Sequence, residues 1–524
     1  MQRPLARLCL VGVGVAVLAL GARPLADSDR ATDFGKFVAG QLREHSMELF
    51  GFEDPLRESA LGPFNGLSVQ ALDLAGDLKA TLVSSAVHNS ADQIALWPDD
   101  DHPTHLFVCD EDGGNPSVQR VDLSKPPSSN ATTIVTGMVA CDPVRRTAWG
   151  TIIAAEEAGA TGGFYEIIDP EHITTPINIL NRATGETSDP LHLVKRQAVG
   201  SLSFESFAFR PDGTVIFGDE LAPSGGIAGG AIFKFVPAVP FQGTSPITLP
   251  AQSPLASGSV FGLRVAASGS ANWGQGAEIG KGAWTAVNLA GANVVDGSGN
   301  VILRNAQLLQ RFTGFYRPED MDIDPIALAK GVFRACWANT GRVSHAGGSA
   351  VENAGVHGEI MCLTEEPPSA AVPNPPTGTI PTVERFVAGS AQAAMFDNVA
   401  FQPHTGNLVI LEDGPTSIVL PSGASQDRGN DLWICLPDGA DDDVQTDGCV
   451  RFASLRDTSS EPTGFIWLGS GKAAFVNLQH RDVDAAANRG SLLMISGFKV
   501  DDRDRDRDRD HDGDHDRGPG RDRK

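Results

Sequence analysis

Carboxylates recur along this chain where β-strands should begin and end. Asp92 stands six residues before Pro98, Glu205 six before Pro211, Glu319 six before Pro325 and Asp397 six before Pro403. Alternating apolar residues fill the interval, as in Phe207 and Phe209, Met321 and Ile323, or Val399 and Phe401. After each proline come a turn and a second apolar run, such as Val215-Ile216-Phe217 or Leu408-Val409-Ile410. The second run ends in polar or acidic groups: Asp110-Glu111, Asp219-Glu220, Asn339, Glu412-Asp413. Two further segments fit the frame imperfectly. Met138 to Glu157 carries Pro143 and ends in Glu156-Glu157, with Gly137 in the leading position; Glu461 to His480 has Trp467 at the proline position.

Period-two alternation gives strands, and a proline turn between two such runs gives a hairpin. A hairpin repeated this often, with long variable insertions, predicts an all-β chain folded as a single β-propeller of about six blades. A β-sandwich would leave the repeated acidic bracket unexplained. In an antiparallel hairpin the start of one strand lies beside the end of the next. Both acidic positions therefore fall at one end of each blade, and the propeller gathers those ends at one mouth of its central channel. The expected ring is Glu156, Glu157, Glu205, Asp219, Glu220, Glu319, Asp397, Glu412, Asp413 and Glu461. Clustered carboxylates repel, and hard cations such as calcium relieve them, since carboxylate oxygen is their preferred ligand. Any single acid in the ring could equally cap a turn.

Composition narrows the partners. Asp and Glu number 65 against 41 Lys and Arg, a formal charge of −24. Such a surface repels phosphate backbones and excludes a nucleic-acid partner. The 58 Gly and 34 Pro suit many short strands and turns. Arg3 and Arg7 precede an apolar run from Leu8 to Ala22, the pattern of a secretory leader ending by about residue 26. The expected location is therefore the periplasm or the medium, with no later membrane span and a monomeric chain. Residues 27–66 read as irregular with some helix, 67–500 as the propeller, and 501–524 as a disordered Asp/Arg-rich tail. Six cysteines remain beyond the leader, an even number that suits disulfides in an exported protein. Cys435 and Cys449 flank a turn, and Cys336 and Cys362 sit on successive strand-like runs; the pairing is otherwise open.

Four segments together resemble the PhoX-type alkaline phosphatases, exported six-bladed propellers. Cys141 to Glu157, with Trp149-Gly150-Thr151, is similar to the family's Cys…Trp-Gly-Thr…Glu-Glu segment. Phe204-Glu205 to Gly218-Asp219-Glu220 resembles its His-Glu…Gly-Asp-Asp segment, with Phe204 replacing the His. Arg317-Pro318-Glu319-Asp320 matches its Arg-Pro-Glu-Asp motif, and Glu461-Pro-Thr-Gly464 with Asn477-Leu-Gln-His480 is similar to another. Phe396-Asp397-Asn398 to Glu412-Asp413-Gly414 resembles a fifth. The resemblance implies hydrolysis of small phosphate monoesters at an iron and calcium centre. It makes Glu205, Glu319 and Glu461 ligands, with Glu156, Asp219, Asp397 and Asp413 as further candidates, and matches Cys141 to an iron ligand. It also places Arg317 on the substrate phosphate, a role that suits the guanidinium fork. Two alternatives stand beside it. Arg317 could pair with a neighbouring carboxylate, and Cys141 could be a core cysteine or bridge to Cys109. A calcium-dependent lactonase or esterase, or a non-catalytic calcium-binding propeller, would also use an acidic channel.

Overall fold

The computed structural model describes residues 38–61, 64–112, 117–224, 229–243, 246–265, 278–341, 357–390, 392–413, 417–419, 425–437, 446, 448–481 and 489–500. The leader and the charged tail read from the sequence lie outside the described residues. The chain divides into two compact units, Met1–Gln41 and Leu42–Lys524. In the first, residues 38–41 are helical. The second carries the architecture that follows.

Six β-hairpins form the innermost strand pairs of six blades. They are Ala91–Trp97 with His105–Asp110, Cys141–Arg146 with Thr151–Glu156, and Phe204–Phe209 with Val215–Asp219; then Pro318–Ile323 with Phe333–Asn339, Phe396–Phe401 with Leu408–Glu412, and Glu461–Trp467 with Ala473–Gln479. Each innermost strand packs on the next, and the last returns to the first, so the ring is closed. The fold is an all-β propeller, as the repeat predicts. Its channel is lined by six parallel-running strands that all start at the same mouth.

The blades adhere through apolar surfaces. One cluster of buried side chains lies between each neighbouring pair of blades. Between blades two and three, for example, Trp149 and Ile153 meet Phe207 and Phe217. Alternation along each strand puts one row of side chains toward each neighbouring blade, so both faces are buried and both rows must be apolar.

The closure of the ring involves segments far apart in the chain. Lys79–Ser84 pairs with Ser491–Ser496 as the outer strand of blade six, and Leu72–Leu74 pairs with Cys449–Leu455 at the rim of blade five. Blades three and four are joined through their outer strands Gly280–Ala286 and Ile380–Ala388. Three disulfides are formed among the described residues: Cys109–Cys141, Cys336–Cys362 and Cys435–Cys449. The first ties blade one to blade two; the others lie within blades four and five. No helix among the described residues is long and apolar enough to cross a membrane.

Candidate metal centre

One backbone contact recurs in five blades and sets the mouth of the channel. The carbonyl just before the innermost strand accepts the N–H of the residue just after the second strand. The pairs are Glu111 to Ser90 (2.9 Å), Glu157 to Ala140 (2.8 Å), Glu220 to Ser203 (3.2 Å), Thr340 to Arg317 (3.0 Å) and Asp413 to Met395 (2.7 Å). In three of these blades the accepting residue is left-handed: φ is 46° at Ala140, 57° at Arg317 and 60° at Met395. Such a backbone costs a non-glycine residue about 1 kcal/mol or more. It turns the chain sharply into the strand.

The sharp turn and the strand's alternation sort every acidic pair. The first acid closes the ladder and points into the blade, where it meets a base. Glu156 takes Arg182 through Nε at 2.7 Å and two backbone N–H groups, Val139 and Gly163, at 2.8 Å each. Asp219 takes Arg304 at 2.6 and 2.9 Å, Glu412 is held by Arg428, and Asp110 by His88. The second acid points into the channel. Glu111, Glu157, Glu220 and Asp413 all line the cavity at the mouth.

The innermost strands supply the rest. Asp92, Asp142, Glu205, Glu319, Asp397 and Glu461 line the same cavity, with Asn398 and Arg317. It holds about 90 Å³, room for several ions or waters. Ligand oxygens of Asp92, Glu111 and Asp142 lie within 4.8 Å of one another, as do those of Asp142, Glu157 and Glu205. Asp142 belongs to both groups.

Arg317 is the one guanidinium in this lining. Its Nε donates to Glu220 Oε1 at 2.7 Å, and its Nη2 lies 3.0 Å from Glu319 Oε1. Thr340 also donates to Glu319, at 2.8 Å. Arg317 Nη1 has no hydrogen-bond partner among the described residues. His480 Nε2 stands 3.7 Å from Glu461.

Electrostatically the cavity is under tension. Burial, then mutual repulsion, raises Asp92, Asp142, Glu205, Asp397 and Glu461 well above the usual carboxylate range. Burial lifts Glu157 to about 9, with Glu220 and Glu111 adding to it. Burial likewise lifts Glu111 to about 7 and Glu319 to about 7, the latter in spite of Arg317. Asp92 Oδ1 is buried with no hydrogen-bond partner among the described residues. A buried acceptor without a donor is costly, and one shared cation satisfies many such oxygens at once.

The structure thus places Glu157, Glu205, Glu220, Glu319, Asp397, Asp413, Glu461 and Arg317 in one cavity lining. Glu156, Asp219 and Glu412 are not at the cavity; each is neutralised inside its blade. Cys141 is also elsewhere. It occupies the ladder position opposite Glu156, faces the core between blades one and two, and is bonded to Cys109. Asp92, Glu111 and Asp142 join the site without having been singled out as ligands. For Asp92 and Glu111 the bracket already gave the signal. Asp142 was hidden because Pro143 is not the turn proline of blade two: the strand runs through it and turns after Arg146.

The fold and site define a six-bladed propeller with a carboxylate-walled cavity, lined also by one arginine, at one end of its channel. Residues 186–482, more than half of the chain, match the family described as alkaline phosphatase PhoX. The chain belongs to that family. The matched span holds Arg317 and its acidic neighbours in blades three to six; the innermost hairpins of blades one and two precede it. Among solved structures, the chain is similar to PhoX of Pseudomonas fluorescens in complex with vanadate, a transition state analogue. Identity is 16%, coverage 86% of this chain and 99% of that one, and the TM-score 0.58. A gluconolactonase from Xanthomonas campestris matches at 12% identity over 84% of this chain and 96% of its own, with a TM-score of 0.36. A comparison with curated proteins finds no match.

Proposed function

We propose that this chain is an exported, metal-dependent hydrolase of small phosphate monoesters, acting at the acidic mouth of the channel. The observation that carries the reading is Arg317 among ten carboxylates in one cavity. Carboxylates alone would repel a phosphate dianion. The cavity accepts one only if cations occupy the acids and the guanidinium meets the phosphate oxygens.

The donor set fits hard cations. All ten charged acceptors are carboxylate oxygens, several are buried, and the spacing of two triads suits shared ions. Calcium is the metal this set favours. The thiolate that the family resemblance implied as an iron ligand is spent in the Cys109–Cys141 disulfide, so iron would have to bind through carboxylates alone. Asp92, Glu111, Asp142, Glu157, Glu205, Glu319, Asp397, Asp413 and Glu461 would hold the ions. When bound, such cations supply Lewis-acid stabilisation of the charge that develops on the phosphoryl group.

The remaining work falls to the chain itself. Glu220 and Glu319 fix the guanidinium of Arg317 from two directions, so that Nη1 is presented to a phosphate oxygen at little entropic cost. Three disulfides support an oxidising compartment, in keeping with a secreted protein.

Elemental analysis of the purified chain, alongside hydrolysis of an aryl phosphate, tests the reading. Bound calcium with phosphatase activity that is lost on chelation and restored on refilling is the expected result. Metal without phosphate-ester hydrolysis would overturn it.

A further inference from the structure

Directly beneath the acids, each innermost strand is interrupted. Ladder pairing breaks between Ala91 and Ile94, Cys141 and Val144, Phe204 and Phe207, Pro318 and Met321, Phe396 and Val399, and Thr463 and Ile466. These are β-bulges, and they recur in every blade. In five of them the first unpaired residue is an acid of the cavity: Asp92, Asp142, Glu205, Glu319 or Asp397. A bulge re-aims a side chain, but it also removes the cross-strand bonds that would hold it.

Buried side chains from other blades bond to the bulged segments instead. Gln93 donates to the Glu205 carbonyl and, at 3.4 Å, to Asp142 Oδ1. Ser206 Oγ donates to the Glu319 carbonyl at 3.3 Å. Asp320 accepts Val399 N–H from blade five at 3.2 Å and Arg145 Nη2 from blade two at 2.8 Å. Asn398 Oδ1 accepts Gly464 N–H from blade six at 2.6 Å. Thr463 Oγ1 donates to the Ala91 carbonyl of blade one at 3.3 Å. Every blade is reached, and the links close into a circle around the channel. Gln93, Ser206, Asp320, Asn398 and Thr463 are each at most 2% exposed.

We infer that this belt of inter-blade hydrogen bonds positions the metal-binding carboxylates, so that belt residues outside the cavity lining, Asp320 and Ser206 above all, set the affinity of the centre. The inference rests on the metal-centre reading above. Its physical basis is that a ligand on an unpaired bulge is only as rigid as the contacts holding the bulge. Outer contacts of this kind commonly change metal affinity by about 10–100-fold. Asp320 is the strongest link. It follows Glu319 directly, ties three blades together and uses a charged pair.

The test is calorimetric titration of the full chain with calcium alone, with thermal unfolding of the metal-free protein measured in parallel. Asp320→Asn should weaken calcium about tenfold or more, and Ser206→Ala, a milder change that keeps the fold, by a few-fold. Asp324→Asn is the control. Asp324 caps the helix Pro325–Ala329 and pairs with Arg334 at 2.9 Å, away from the mouth. It should lower the unfolding temperature and leave calcium affinity unchanged. If Asp320→Asn and Ser206→Ala bind calcium as the wild type does, or if Asp324→Asn weakens it equally, the belt has no positioning role. A wild-type chain that takes up no calcium overturns the metal-centre reading itself, and the belt with it.

Discussion

Arg317 and Glu220 come from different blades and meet at 2.7 Å over the mouth of the channel. The contact is possible because Arg317 is left-handed and ends its turn immediately before a strand. The guanidinium is thereby held by Glu220 on one side and Glu319 on the other. Arg317→Ala should lower kcat/KM on an aryl phosphate about 100-fold or more, with calcium binding changed much less. Arg317→Lys should recover little, because an ammonium lacks the fork. Steady-state kinetics and calcium titration of the same preparations decide it; undiminished turnover by Arg317→Ala would remove the residue from the site.

Adjacent acids should behave in opposite ways. Glu157→Gln removes a cavity carboxylate and should weaken calcium about tenfold or more with little change in folding. Glu156→Gln disturbs a buried pair with Arg182 and should cost about 2 kcal/mol of stability, less than the ~3–5 kcal/mol of a fully buried pair because Arg182 keeps partial solvent contact. Its calcium affinity should match the wild type. Denaturant unfolding and calorimetry separate the two effects, and equal loss of calcium in both variants would contradict the division of each acidic pair.

The raised carboxylates make the metal-free protein sensitive to alkali. A carboxyl whose folded value lies above its unfolded value binds more protons when folded. Its stabilising contribution is complete below about pH 4.5 and is lost as pH rises through the folded value. Glu111 and Glu319, at about 7, and Glu157, at about 9, place the loss between about pH 5 and 9. In the presence of a chelator the unfolding temperature should therefore fall over this window. Saturating calcium should flatten the slope, and calcium affinity should rise with pH as protons leave the ligands. Differential scanning calorimetry across the window checks both, and a flat chelated profile would show that the acids are not under strain.

Cys109 and Cys141 join two blades rather than hold a metal. Replacing both with Ser should cost about 2–4 kcal/mol of stability and leave calcium affinity intact. A large fall in metal content without loss of stability would return Cys141 to the ligand set.

Much of this was legible in the sequence. The propeller showed in the recurrence of hairpins, because period-two alternation is a local property of each strand. The outer strands contributed by Leu72–Leu74 and Lys79–Ser84 were not legible, since their partners lie hundreds of residues away. The charged mouth showed in the register of Glu205, Glu319, Asp397, Asp413 and Glu461. Asp142 did not show, because a proline inside its strand mimicked the turn of the other units.

The sequence by itself determined that acids would collect at one end of the channel, for the ends of neighbouring strands in a hairpin must coincide. Only the tertiary structure decided which acids face the channel. Glu156 and Glu157 are chemically alike and adjacent, but one closes a ladder beside Arg182 and the other follows it into the cavity. That choice depends on strand register, on where each bulge falls and on which arginine folds back from a distant segment. None of these is a property of the local sequence, because each is fixed by packing between blades.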